Sequence, residues 1–166
     1  MLTALISTLA DEPLLRQIIS DAVSAIVPVM RERIHSLGLA ADSSPIGTYS
    51  TKPIYLATQF SKANAVGKRG NSIFKNGNSH RSHYYQGGYR EFKSNSNFVN
   101  LTLTGQLRDS LIAIDTGIGW QNETLYERAL ALESKYGKSI WSLTADEKQK
   151  LEQLILEKLT TALTHY

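Results

Sequence analysis

The chain has 166 residues, 42% of them hydrophobic and 20% charged, with a formal net charge of +3 and no cysteine. This is the composition of a globular chain long enough to bury a core, most simply a single domain over 1–166. The lack of cysteine excludes disulfides, thiolate metal sites and a cysteine nucleophile, and no unbroken apolar run approaches the roughly 20 residues of a bilayer span, so no membrane partner is expected.

The charge is unevenly spread. Residues 52–93 hold Lys52, Lys62, Lys68, Arg69, Lys75, Arg81, Arg90 and Lys93 against Glu91 alone, a local charge of +7. A basic, loop-rich middle of this kind can face nucleic acid, an acidic partner or solvent. Met1 to Ala10 is mildly apolar without a basic leader, so no signal peptide is expected, and the chain is expected in the cytoplasm of the cell that makes it.

In chain order, Asp11-Glu12-Pro13 reads as a helix start. Leu15, Ile18, Ile19, Ala22, Val23, Ile26, Met30, Ile34 and Leu37 then form a helical stripe that Gly38 closes. Pro28 should kink or split the helix. The stripe is wide, with Val27 and Val29 beside it, so the helix packs either wholly within the chain or partly on a neighbouring subunit. Ala40 to Lys52 is loop, rich in turn residues around Asp42-Ser43-Ser44-Pro45. Pro53 to Phe60 is a short helical or extended piece with Ile54, Tyr55, Leu56 and Phe60 inward.

Gly, Ser and Asn supply 17 of the 37 residues over 61–97. So long a stretch without regular pattern reads as a projecting arm or long hairpin, mobile in the isolated subunit. Its tip falls near Asn71 to Ser79, where Ile73 and Phe74 form an apolar pair among turn residues. The clearest strand follows: Val99, Leu101 and Leu103 alternate with Asn100, Thr102 and Thr104 up to Gly105. Leu107 and Leu111 fit one or two helical turns or a bent continuation of that strand. Ile112, Ile114, Ile118 and Trp120 suggest a hairpin about Thr116-Gly117. A helix from Asn122 or Thr124 to Lys135, closed by Tyr136-Gly137, uses Leu125, Ala129 and Leu132. Ile140-Trp141 should plug into the core. Thr144-Ala-Asp-Glu147 is a capping box for a last helix with Leu151, Leu154, Ile155, Leu159, Ala162 and Leu163 inward and a Glu/Lys face outward. The fold class is α+β: a small antiparallel sheet packed by a long N-terminal helix and two C-terminal helices, with an arm.

No catalytic, cofactor or metal set emerges. Gly67-Lys-Arg-Gly-Asn-Ser72 lacks the spacing of a phosphate-binding loop. His80 and His83 lie in a Ser/Asn/Arg segment with only Glu91 near them in sequence. Ser110 follows Asp109 without a histidine positioned as base. The most suggestive block is Arg81, Tyr84, Tyr85, Tyr89, Arg90, Phe92 and Lys93. Its basic-aromatic mixture suits a protein contact, intramolecular packing or nucleic-acid stacking. Gly87-Gly88 within it demands a special backbone conformation.

Four segments, in order, resemble phage virion-morphogenesis proteins of the tail-completion group, which includes neck (head-tail joining) and tail-terminator proteins. They are the amphipathic N-terminal helix with Pro45-Ile-Gly-Thr-Tyr49-Ser50; Tyr85-x-Gly-Gly-Tyr-x-Glu-Phe92; Leu103-Thr-Gly-x-Leu-x-x-Ser-Leu111; and Lys138-Ser-Ile-Trp-Ser-Leu-Thr-Ala-Asp-Glu147. Many members carry Arg-Pro ahead of the aromatic link, where this chain has Lys138-Ser139-Ile140. The resemblance implies a virion structural protein, not an enzyme, made in the host cytoplasm and placed in the neck or tail. It implies a homo-oligomeric, commonly hexameric ring that meets connector and tail-tube proteins, with DNA crossing the lumen without sequence-specific binding. On this view Ile73, Phe74, Arg81, Tyr84, Tyr85, Tyr89, Arg90 and Phe92 are candidate subunit or partner contacts, and Lys62, Lys68, Arg69 and Lys75 face the lumen. The alternative is a small nucleic-acid-binding protein that uses the basic segment 52–93.

Overall fold

The computed structural model describes residues 12–57, 68–73, 79–94, 96–102, 104–114 and 117–164; for Glu12, Lys68–Ile73, Ser79 and His80 it describes the backbone alone. Helix α1 (Glu12–Arg31) runs straight on into a π-wound segment, Glu32–Leu37, which Gly38 closes in the left-handed conformation at φ 69°. The expected cap Asp11 lies outside the described residues. Pro28 sits inside α1 and does not end it; the change of winding comes only at Glu32.

Helix α1 buries Ile18, Ala22, Val23, Ile26, Val27, Met30 and Ile34, while Ile19 and Leu37 of the expected stripe are exposed. The π winding favours burial of successive residues more than an α-helical period does. It turns less per residue, so the consecutive Arg33, Ile34 and His35 are all buried. By length and composition the helix from Pro13 to Leu37 would suffice to cross a bilayer. The same helix supplies the centre of the protein's own core.

The other elements are β1 (Ile54–Ala57), β2 (Lys68–Ile73), β3 (Ser79–Tyr85), α2 (Gly88–Phe92), α3 (Gln106–Asp109), β4 (Leu111–Ile114), β5 (Gly117–Trp120), α4 (Glu123–Tyr136) and α5 (Ala145–Thr164). They form an α+β fold with two antiparallel sheets. The hairpin β4–β5 packs on α1, which also packs on α5. The second sheet has the order β1-β3-β2. It turns the expected arm into paired structure, with β2 and β3 in register from Lys68–Tyr84 to Ile73–Ser79. Of the tip expected over Asn71 to Ser79, residues 71–73 end β2 and Ser79 starts β3, and residues 74–78 lie outside the described residues.

The stretch from Val99 to Thr102 is not a strand, contrary to its alternation. Leu101 takes a left-handed φ of 50°, which breaks any pleat. Side chains serve this backbone in place of a neighbouring strand. The Asn100 amide donates to the Tyr49 hydroxyl at 3.0 Å, the Thr102 amide to Asn100 Oδ1 at 3.2 Å, and the Thr102 hydroxyl to the Asn100 carbonyl at 3.0 Å. Val99 still enters the core, and its amide donates to the Gly47 carbonyl. Leu103 lies outside the described residues. The one-turn helix α3 follows, and β4 begins at Leu111. Tyr55, expected inward, is 53% exposed on β1, and Phe60 lies outside the described residues.

The core gathers Ile26, Met30, Ile34, Ala40, Ile46, Tyr49, Val99, Leu111 and Ile140. Beside it lies a buried ion pair. Arg33 Nε donates to Glu147 Oε1 at 2.8 Å, and its other nitrogens donate to the carbonyls of Leu39, Ile140 and Ser142 at 2.9, 3.2 and 2.9 Å. Glu147 Oε2 accepts the Thr144 amide while the Glu147 amide donates to Thr144 Oγ1, so the expected capping box is present. One arginine thus ties the π segment, the loop after it, the 138–144 link and the start of α5. At the other end of the link, Glu133 Oε1 accepts the amides of Ile140 and Trp141, and the Trp141 indole donates to the Ala129 carbonyl. Asn122 caps α4 through the Leu125 amide, and Gly137 ends it.

Candidate assembly surfaces

Strand β3 runs through a short turn into α2, and this passage places most of the basic-aromatic block. Gly88 makes the passage possible. Its φ is +70°, and a Cβ there would lie 2.4 Å from the Lys52 carbonyl oxygen and 2.6 Å from that of Ser50. The close approach lets the Arg90 amide donate to the Ser50 carbonyl at 3.1 Å. Glu91 reaches back to accept the Gly87 amide at 2.7 Å.

The aromatic side chains then stack inward. Tyr85 meets Phe92 edge-on at 5.5 Å, Phe92 meets Tyr89 at 5.2 Å, and Tyr89 meets Tyr49 at 5.2 Å. Tyr49 ends the row by donating to Asn100 Oδ1 at 2.8 Å. Burial pushes the Tyr49 phenol up to about 12, and the same cause raises Tyr89 and Tyr85. The ammonium of Lys93 lies 5.7 Å above the Tyr49 ring and donates to the Thr102 carbonyl.

This geometry divides the candidate contacts. Tyr85 and Phe92 are buried in the chain's own aromatic row, which corrects their assignment to a contact surface. Tyr89 is half-buried in the same row, and Arg90 donates to Asn97 Oδ1 at 2.7 Å. Arg81 is exposed on β3, and Tyr84 is half-buried against Tyr55 with ring centroids 4.9 Å apart. Ile73 ends β2. Of the expected lumen residues, Lys68 and Arg69 lie on β2, opposite Tyr84 and His83 in register. Phe74, Lys62 and Lys75 lie outside the described residues.

The structure also places the residues weighed for chemistry. Residues 68–72 form a strand, not the turn between strand and helix that a phosphate loop needs. His80 and His83 lie three apart on one strand and not on the helical turn that a metal pair at this spacing would need. No group of three or more His, Asp or Glu side chains able to hold a metal occurs among the described residues. Ser110 is buried and donates to the Leu107 carbonyl at 3.0 Å. His35 is buried too, with Nδ1 3.0 Å from the Asn100 carbonyl and Nε2 without a hydrogen-bond partner; burial lowers its basicity.

Two exposed apolar sites lie on helices. On α4, Tyr126 and Leu130 are 43% and 45% exposed, and on α5 Leu156 is 63% exposed. The spacing of Tyr126 and Leu130, four apart and off the Ala129–Leu132 face, is the only sequence signal for the first pair. An open polar groove of about 550 Å³ lies between α3 and the start of α4, lined by Gln106, Asp109, Asn122 and Arg128 among others. No protein-family model, curated protein or solved structure matches this chain.

Proposed function

We propose that this chain is a structural subunit of a phage neck or tail: a tail-completion or tail-terminator protein that joins others of its kind in a ring between tail and head connector. The observation that carries the reading is the convergence of the four segments that resemble such proteins. Tyr49 of the first segment stacks on Tyr89 of the second. It also holds Asn100, which leads into the third. Lys138 of the fourth donates to Ser44 Oγ and the Pro45 carbonyl, both at 2.6 Å. Tyr49, Asn100 and Lys138 bond across these segments, so the shared residues build a scaffold that carries the three-stranded sheet.

The sheet is the part offered to neighbours. Among the described strands β2 pairs with β3 alone, leaving one edge open, and it belongs to the segment of charge +7. In the ring reading the basic residues of this segment face the lumen, where passing phosphate meets diffuse charge without sequence-specific binding. Direct nucleic-acid binding is the second reading, favoured by the same charge. Against it, Tyr85, Phe92 and Lys93 are engaged within the chain.

Deletion of residues 64–80 tests the ring reading, because it removes β2 and the start of β3 but leaves the scaffold contacts. The expected product is a folded subunit that fails to assemble or to complete particles. Normal particle completion by the deletion would contradict the proposal. Duplex-DNA affinity that falls steeply with salt in the intact chain and vanishes in the deletion would favour the second reading.

A further inference from the structure

We propose that His35 is a pH-sensitive latch on the segment Asn100–Thr102, and that protonating its ring frees this segment and loosens the tie between the helical body and the three-stranded sheet. The inference stands apart from the ring reading.

The segment Asn100–Thr102 is held from both sides. From the body, His35 Nδ1 lies 3.0 Å from the Asn100 carbonyl oxygen and 3.3 Å from the Thr102 hydroxyl. From the sheet side, Lys93, which follows α2, donates to the Thr102 carbonyl. Tyr49 accepts the Asn100 amide, donates to Asn100 Oδ1 and stacks on Tyr89 of α2, and α2 packs on β3. Between these ties Leu101 holds a left-handed φ of 50°, a strained conformation for any residue but glycine. The segment belongs to no helix or strand, so side-chain bonds hold it in the strained form.

The His35 ring fits its place only when neutral. A carbonyl oxygen can only accept, so Nδ1 carries the proton, and the Thr102 hydroxyl gives its own proton to the same carbonyl. Nε2 is then the bare nitrogen, and it is buried with no hydrogen-bond partner among the described residues. A second proton there would create a buried N–H without an acceptor and a charge away from water. Burial opposes that charge most, and Arg31 at the end of α1 and Arg108 on α3 repel it, whereas the Asn100 carbonyl and Asp109 on α3 favour it. The link presents the apolar ring of Trp141, its centroid 6.1 Å away. The protonated ring is relieved by leaving this pocket, which breaks its bond to Asn100 and lets Leu101 relax. Because the released ring binds a proton more readily than the buried one, release is favoured as pH falls below the ordinary histidine value of about 6.5.

Hydrogen exchange of the full chain at about pH 7.5 and about pH 5, corrected for the intrinsic pH dependence of exchange, tests this. At the lower pH, about 1.5 units below the ordinary histidine value, the released form gains at most about thirtyfold. The Asn100 and Thr102 amides should therefore lose protection about tenfold or more, while amides in the middle of α1 keep theirs. His35→Gln can still donate to the Asn100 carbonyl but takes up no proton, so it should abolish the loss. Arg108→Gln removes an exposed cation that repels the charge and leaves Asp109 unpaired to attract it, so the midpoint of the loss should move to higher pH. A thermal melt at the higher pH checks each variant's fold. Unchanged protection of Asn100 and Thr102 would overturn the proposal. So would a loss that α1 shares equally, or an acid response in His35→Gln equal to the parent's. If His35→Gln does not fold, Arg108→Gln decides: an unmoved midpoint overturns the latch.

Discussion

Replacing Arg33 with Ala should be among the most damaging single changes in the scaffold. The side chain is buried and donates four hydrogen bonds, one to a carboxylate that is itself only 4% exposed and three to backbone carbonyls. Its loss would leave the Glu147 charge without its cation and the carbonyls of Leu39, Ile140 and Ser142 short of a donor. Breaking a buried pair from one side costs about 3–5 kcal/mol. Against a total stability of roughly 5–15 kcal/mol, that is a large fraction. At about 2–4 °C per kcal/mol for a chain of this size, the melting temperature should fall by roughly 6–20 °C. Urea unfolding followed by circular dichroism would measure it, with unchanged slope and a lower midpoint. The double replacement Arg33→Met/Glu147→Met should recover part of the loss, since no buried charge then stands alone. An Arg33→Ala variant within about 1 kcal/mol of the parent would refute the reasoning, because so small a loss is typical of an exposed ion pair.

Three further outcomes follow from the same structure. Gly88→Ala should cost about 2 kcal/mol or more, since a left-handed φ and two backbone oxygens both oppose a side chain, whereas Gly137→Ala, with φ 62° and nothing within 4 Å, should cost only about 1 kcal/mol; urea midpoints would separate them. Burial lowers the basicity of His35, so below about pH 6.5 the unfolded chain takes up a proton that the folded chain resists, and stability should fall as pH drops from there toward the folded value; His35→Gln should flatten that part of the stability–pH curve. Tyr49→Phe removes both bonds to Asn100 and should cost about 1–2 kcal/mol, and an absorbance titration of the parent should show one tyrosine ionising near pH 12 that the variant lacks.

What the residues revealed in advance was local. Asn122, Gly137, Gly38 and the Thr144–Glu147 box mark helix ends because capping is decided within four residues. The hairpin β4–β5 was legible for the same reason, from alternation around a short turn. The long-range features were not. Arg33 sits amid an apparently regular helix, and only the π winding and a partner at Glu147 make it a buried tie. The strand pattern over Val99–Thr104 misled because alternation reports two faces, not a ladder, and here Tyr49 and Asn100 meet the backbone's needs. In the candidate site, the aromatic block was visible but its orientation was not. Tyr85 and Phe92 turn inward through Gly88, a consequence of contacts with residues 50–52 far back in the chain. The exposed pair Tyr126 and Leu130 on α4 carries no motif beyond its helical spacing opposite the inward residues.

The most direct test of the ring-forming role is the mass of the purified chain by light scattering, followed by negative-stain images. The account predicts a closed ring of about six copies of the 18.4 kDa subunit, with a central opening. A single species at the subunit mass, unchanged as concentration rises, would contradict it.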